Sequence, residues 1–111
     1  MKYMLMIYAD NGARGDLSAE EQQALHREYM AVSDDPAVKG DNRLQPALAA
    51  TTVRVQDGQT LTTDGPFVEI KEELGGYYLV DVDDLDAAIE IAARIPAARH
   101  GAIEIRPVME Q

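Results

Sequence analysis

Lys2-Tyr3-Met4-Leu5-Met6-Ile7-Tyr8 is a run with no polar face. Successive side chains of an extended chain point to opposite sides, so Tyr3, Leu5 and Ile7 share one face and Met4, Met6 and Tyr8 the other. A strand apolar on both sides is expected to be buried on both. Tyr77-Tyr78-Leu79-Val80, introduced by Leu74-Gly75-Gly76, has the same character.

The elements between and around these two runs follow from start and stop signals. Residues 11–16 read as a loop, and Ser18-Ala-Glu-Glu21 is a capping box that opens a helix with acidic residues at its positive end. That helix is expected to run to about Val32, with Leu25, Tyr29 and Val32 inward and His26 on the flank of the stripe. Asp34-Asp35-Pro36 stops it, because the residue before a proline avoids the helical region. A polar connection over residues 37–42 leads to an expected strand around residues 43–48. Residues 51–56 are rich in β-branched side chains and run into Asp57-Gly58, a two-residue hairpin signal with a return strand over residues 59–63; a two-residue turn would set Leu61 opposite Arg54, which leaves the register open. Asp64-Gly65-Pro66 breaks that strand, and residues 67–70 are expected to form a short extended piece. Asp83 is expected to cap a second helix with Asp84 and Asp86 in its first turn and an inward stripe of Leu85, Ala88, Ile89, Ala92 and Ile95. Pro96 ends it, and residues 102–108 alternate Ile103 and Ile105 against Glu104 and Arg106, a strand with one wet face.

The order β-α-β, hairpin, β-α-β belongs to an α+β, ferredoxin-like split βαβ domain with an inserted β-hairpin, occupying residues 1–111 as one unit. In that topology the first and third core strands form the central pair, and these are the two runs apolar on both faces. Two helices cover only one side of the sheet. The other side needs a partner, and a second copy of the chain, stacked sheet to sheet, supplies it by closing a dimeric α+β barrel. A homodimer is therefore expected.

Composition narrows the chemistry. With 20 acidic and 10 basic residues the chain carries a net charge of −10, which repels phosphate backbones, so nucleic acid is not expected as a partner. There is no Cys, which removes disulfides, thiolate nucleophiles, Fe–S clusters and Cys-ligated zinc. The serines are Ser18, already assigned as a cap, and Ser33, which has no nucleophile-elbow context. No apolar run reaches the roughly 18 residues of a membrane span, and residues 1–9 read as a first strand rather than a leader. A cytoplasmic location is expected. Two isolated histidines, His26 and His100, lack the close spacing of a metal site, and neither Gly75-Gly76 nor the acidic run over residues 81–86 has the pattern of a phosphate or calcium loop, so no metal or cofactor is expected.

A set of motifs spans most of the chain: Met1-Lys-Tyr-Met4, Ala50-Thr-Thr-Val-Arg54, Asp57-Gly58, Thr63-Asp-Gly-Pro-Phe67, Lys71-Glu72, Leu74-Gly-Gly-Tyr-Tyr78, Asp84-Leu85-Asp86 and Glu104-Ile-Arg-Pro107. Together they resemble the signature of the DGPF branch of the YCII-related family. The resemblance implies the dimeric ferredoxin-like barrel. It also implies no established reaction, and a genomic neighbourhood that often contains sigma factors of the extracytoplasmic-function type. The wider family is thought to carry a His and Asp pair in a cleft. His26-Arg-Glu-Tyr29 is similar to the helix segment bearing that histidine, and Asp35, nine positions on, falls about where its acidic partner would. The chain departs from the family pattern in residues 31–42, which are shorter and include Pro36.

The leading expectation is a small-molecule site, binding or catalytic, in the cleft between helix and sheet, with His26 as acid or base and Asp35 or Asp64 orienting it. One ring nitrogen of His26 is then expected within about 3.5 Å of an acidic oxygen, directly or through one water, and facing a cavity. Asp64-Gly-Pro-Phe67 reads first as a tight turn, and second as a place where Asp64 enters a pocket beside Phe67. Tyr8, Tyr29, Tyr77 and Tyr78, with Phe67, are the expected pocket lining. The alternative is a non-catalytic regulatory or interaction protein working with a sigma-factor system.

Overall fold

The computed structural model describes residues 1–10 and 16–110. The loop expected over residues 11–16 therefore lies, except for Asp16, outside the described residues. The elements are β1 (Lys2–Ala9), α1 (Ala19–Ser33), β2 (Val38–Arg43), β3 (Thr51–Gln56), β4 (Gln59–Asp64), β5 (Glu73–Asp81), α2 (Leu85–Arg94) and β6 (Ala102–Pro107), with one-turn 3-10 helices at Ala47–Ala49 and Pro96–Arg99.

Four strands form an antiparallel sheet in the order β2-β5-β1-β6, and β3 pairs only with β4. This is the ferredoxin-like α+β arrangement with a hairpin inserted between its second and third core strands. The two doubly apolar runs are the adjacent central strands: Tyr3 opposes Val80 and Leu5 opposes Tyr78 on one face, while Met4 opposes Leu79 and Met6 opposes Tyr77 on the other. Both helices lie on the first face. Tyr3, Leu5, Tyr78 and Val80 pack there with Val32 of α1, with Ala88, Ile91 and Ala92 of α2, and with Ile95. Met4, Met6, Tyr8, Tyr77 and Leu79 are only half-buried, with no helix over them. The shortest dimension of the molecule, 18 Å, is that of one helix layer on one sheet.

The helix signals act as the sequence predicts at α1. The hydroxyl of Ser18 accepts from Glu21 N at 3.1 Å, and the Glu21 carboxylate accepts from Ser18 N at 3.3 Å. The hairpin turn also follows its residues: Asp57 (φ 51°) and Gly58 (φ 76°) both take positive φ, as a type I′ turn requires, and Arg54 opposes Leu61.

Four expectations need correction. The second core strand occupies Val38–Arg43, not residues 43–48. It is an edge strand of polar residues, held by pairing with β5, while the more apolar stretch beyond it meets Pro46 and turns. Residues 67–70 form no strand. The cap of α2 is Asp84, which accepts from Ala87 N at 2.9 Å, one residue after the expected Asp83. Finally, the buried stripe of α2 is Ala88, Ile91, Ala92 and Ile95, with Leu85 and Ile89 left 49% and 47% exposed. Ile91 has the helical spacing from Ala88 and Ile95 that Ile89 lacks, so the helix turns Ile91 inward.

Candidate functional site

Between α1, β2, the neighbouring ends of β1 and β5 and the Pro96–Arg99 turn lies a cleft of about 700 Å³. That is within the range of small-molecule sites, roughly 300 to 1,000 Å³. Its floor depends on Gly76, which sits between Ile7 of β1 and Arg43 of β2 in the ladder. A Cβ at position 76 would lie 2.7 Å from the carbonyl oxygen of Asn42, so only glycine lets β2 approach β5 here. Leu25, Tyr29 and Met30 of α1 form the wall over that floor.

The polar groups converging on the cleft differ in what they are already doing. The Tyr78 hydroxyl donates to the Tyr29 carbonyl at 3.0 Å, and the Ser33 hydroxyl donates to the same oxygen at 3.2 Å. Burial pushes the Tyr78 phenol above its ordinary value; the nearby Ser33 hydroxyl opposes this, and the negative charge of Asp41 adds to it. Tyr78 is therefore a protonated donor at neutral pH. Glu28 is paired with Arg99 at 3.0 Å, Asp10 lies 4.0 Å from Lys71, and Glu21 is occupied in the helix cap. Asp41 and Arg43 also line the cleft, and neither side chain has a hydrogen-bonding or ion-pair partner among the described residues.

The residues anticipated as a site separate into two groups. His26, Tyr29, Tyr77 and Tyr78 line the cleft, whereas Tyr8, Asp35, Asp64 and Phe67 do not. The expected dyad is not assembled: His26 has no partner among the described residues, and Asp35 accepts from Arg94 at 2.6 Å and from Ala37 N at 2.9 Å. Asp35 lies beyond the end of α1, which stops at Ser33 with Asp34 as its cap, and its carboxylate is taken up by the Ala37 amide and Arg94. Asp64 ends β4 in the hairpin, opposite Thr51. Phe67 is 69% exposed and lies under the Arg54 guanidinium, 4.7 Å from its ring centre. Among the described residues, no group of three His, Asp or Glu side chains is close enough to hold a metal ion.

Sequence reasoning missed Asp41, Arg43 and His100 as lining residues. The available signal was Gly75-Gly76 within an apolar strand, a pattern that marks a bulge or a close backbone approach. Both occur here, as a register shift between Ile7 and Tyr8 and as the contact with Asn42.

With this geometry established, comparison places the chain among known proteins. The YCII-related domain matches residues 1–111, so the chain belongs to the YCII-related family. It is similar to an uncharacterized protein of Rhizobium meliloti (strain 1021), 36% identical over an alignment of 114 positions that covers 97% of this chain and 92% of the relative.

Proposed function

We propose that the chain is a DGPF-branch member of its family that binds a small molecule in the cleft under α1. The observation that carries this reading is the cleft itself, about 700 Å³, with a largely apolar wall and a few polar groups around it. Binding is preferred to catalysis because a general base needs an orienting partner, and the carboxylate of Asp35 is taken by Arg94. A thermal-shift screen of metabolites tests it, since a ligand specific to the folded state raises the apparent melting temperature. The decisive control is Ala24→Phe, which places a ring in the cleft from the half-buried face of α1. A metabolite that stabilises the native chain but not Ala24→Phe supports the reading. No stabilising metabolite, or equal stabilisation of both proteins, removes it.

A second reading, an interaction role with a sigma-factor system, draws on a different feature. The β3–β4 hairpin and the segment after it expose Val53, Val55, Leu61, Phe67, Val68 and Ile70, more apolar surface than an isolated small element normally leaves uncovered. Titration with a purified extracytoplasmic-function sigma factor tests it. Binding that is lost in a Val53→Lys, Val55→Lys double variant supports this role, and no binding at micromolar concentration eliminates it.

A further inference from the structure

The charges in the cleft restrict what its ligand can be. Of the acidic residues lining it, Glu28 and Asp10 face basic partners and Glu21 caps its helix. Asp41 and Arg43 remain, two residues apart on β2, which places them on the same side of the strand with Cα atoms about 6.6 Å apart. Their cross-strand neighbours, Tyr78 and Gly76, are buried beneath α1, so this side of β2 faces the cleft. One positive and one negative group thus stand side by side there, without partners among the described residues.

Each simple ligand class leaves part of this arrangement unused or opposed. An anion on Arg43 would sit against Asp41, within a chain of net charge −10. A cation on Asp41 would leave Arg43 without a counter-charge. A neutral apolar molecule would use neither charge. A molecule with adjacent positive and negative groups meets both.

We infer that the cleft takes a zwitterion, a free α-amino acid with an apolar side chain, its carboxylate on the Arg43 guanidinium and its ammonium on the Asp41 carboxylate. The planar fork of Arg43 suits a carboxylate, and the apolar side chain lies toward Ile7 and Leu25. This inference rests on the cleft being the binding site proposed above.

Calorimetric titration of the full chain with leucine and phenylalanine tests it, against N-acetylleucine, which lacks the ammonium, and leucinamide, which lacks the carboxylate. At least one of the two amino acids is expected to bind, and each blocked derivative to bind at least about tenfold more weakly than leucine, the loss of one charge-assisted contact. Arg43→Gln and Asp41→Asn are expected to show the same loss for the free amino acid. Both positions are exposed on an edge strand, so these variants should melt like the native chain, and Arg43→Lys should recover part of the affinity. N-acetylleucine or leucinamide binding as tightly as leucine would overturn the zwitterion. If neither amino acid binds while another metabolite stabilises the native chain and not Ala24→Phe, this inference fails and the cleft reading survives. If no metabolite does so, both fail.

Discussion

Asp35 is held by two contacts, and they act differently on stability. The Arg94 guanidinium beside it, and then the Ala37 amide, keep its carboxyl below the ordinary aspartate value. A lowered value in the folded state means that the contribution is present above the unfolded value, about 3.9, and is lost as pH falls through the folded one. Arg94 is 48% exposed, so solvent screens the pair, and Asp35→Asn, which keeps an oxygen for Ala37 N, should cost less than about 1 kcal/mol at neutral pH. Urea melts at pH 7 and at acid pH check this: the gap between native and variant should narrow as pH falls below the ordinary aspartate value, and a gap that does not change would mean that the ion pair is not its source. Gly76 answers to sterics instead. Gly76→Ala drives a Cβ against the Asn42 carbonyl, and forced packing of this kind costs about 1–3 kcal/mol. A melt within a few tenths of a kcal/mol of native would show that β2 can move aside, and that the cleft floor is not set by this contact.

Among the elements, the β3–β4 hairpin is the one whose order has least support from the rest of the fold. Its strands pair only with each other, and the bonds at its base, Gly65 N to Ala50 O at 2.7 Å and Thr52 Oγ1 to Gly65 O at 2.8 Å, close the hairpin on itself. A lone two-stranded ribbon is marginal in water. Amide hydrogen exchange should therefore be faster in β3 and β4 than in the central strands β1 and β5 by several orders of magnitude. Gly58→Ala, at φ 76°, should speed exchange in the hairpin further while moving the global melt little. Protection in the hairpin equal to that in β5 would contradict this, and would mean that another chain covers it.

For the whole molecule, the open question is the sheet face that no helix covers. Met4 and Met6, opposite Leu79 and Tyr77, present an apolar strip on a molecule 18 Å thick, and a second copy stacked on that face would give the sheet its missing layer. A homodimer is the expected state, and a monomer mass by light scattering at micromolar concentration would refute it. If folding and association are one event, Met6→Asp places a charge in the interface and should unfold the chain rather than release folded monomers. A folded monomeric variant would restrict the claim to association alone.

Features written in local chemistry or in period were legible in the residues alone. The capping box at Ser18, the hairpin turn at Asp57-Gly58 and the central placement of two doubly apolar strands all depend on residues close together or on simple alternation, whereas the register that sets Arg54 opposite Leu61 came from the structure. Tertiary structure decided the rest. The edge strand Val38–Arg43 carries almost no propensity of its own and exists because β5 offers it a ladder. The rotation of α2 followed Ala88, Ile91 and Ala92 onto the sheet, a choice between two stripes that hydropathy alone does not separate. At the cleft, His26 and Asp35 are near in sequence yet only His26 lines it, Asp35 being paired with Arg94, while Arg43 and Gly76, thirty-three positions apart, are cross-strand neighbours. A site assembled from a helix, an edge strand and a glycine in a central strand has no local signature, because what defines it is space between elements that sequence reading treats one at a time.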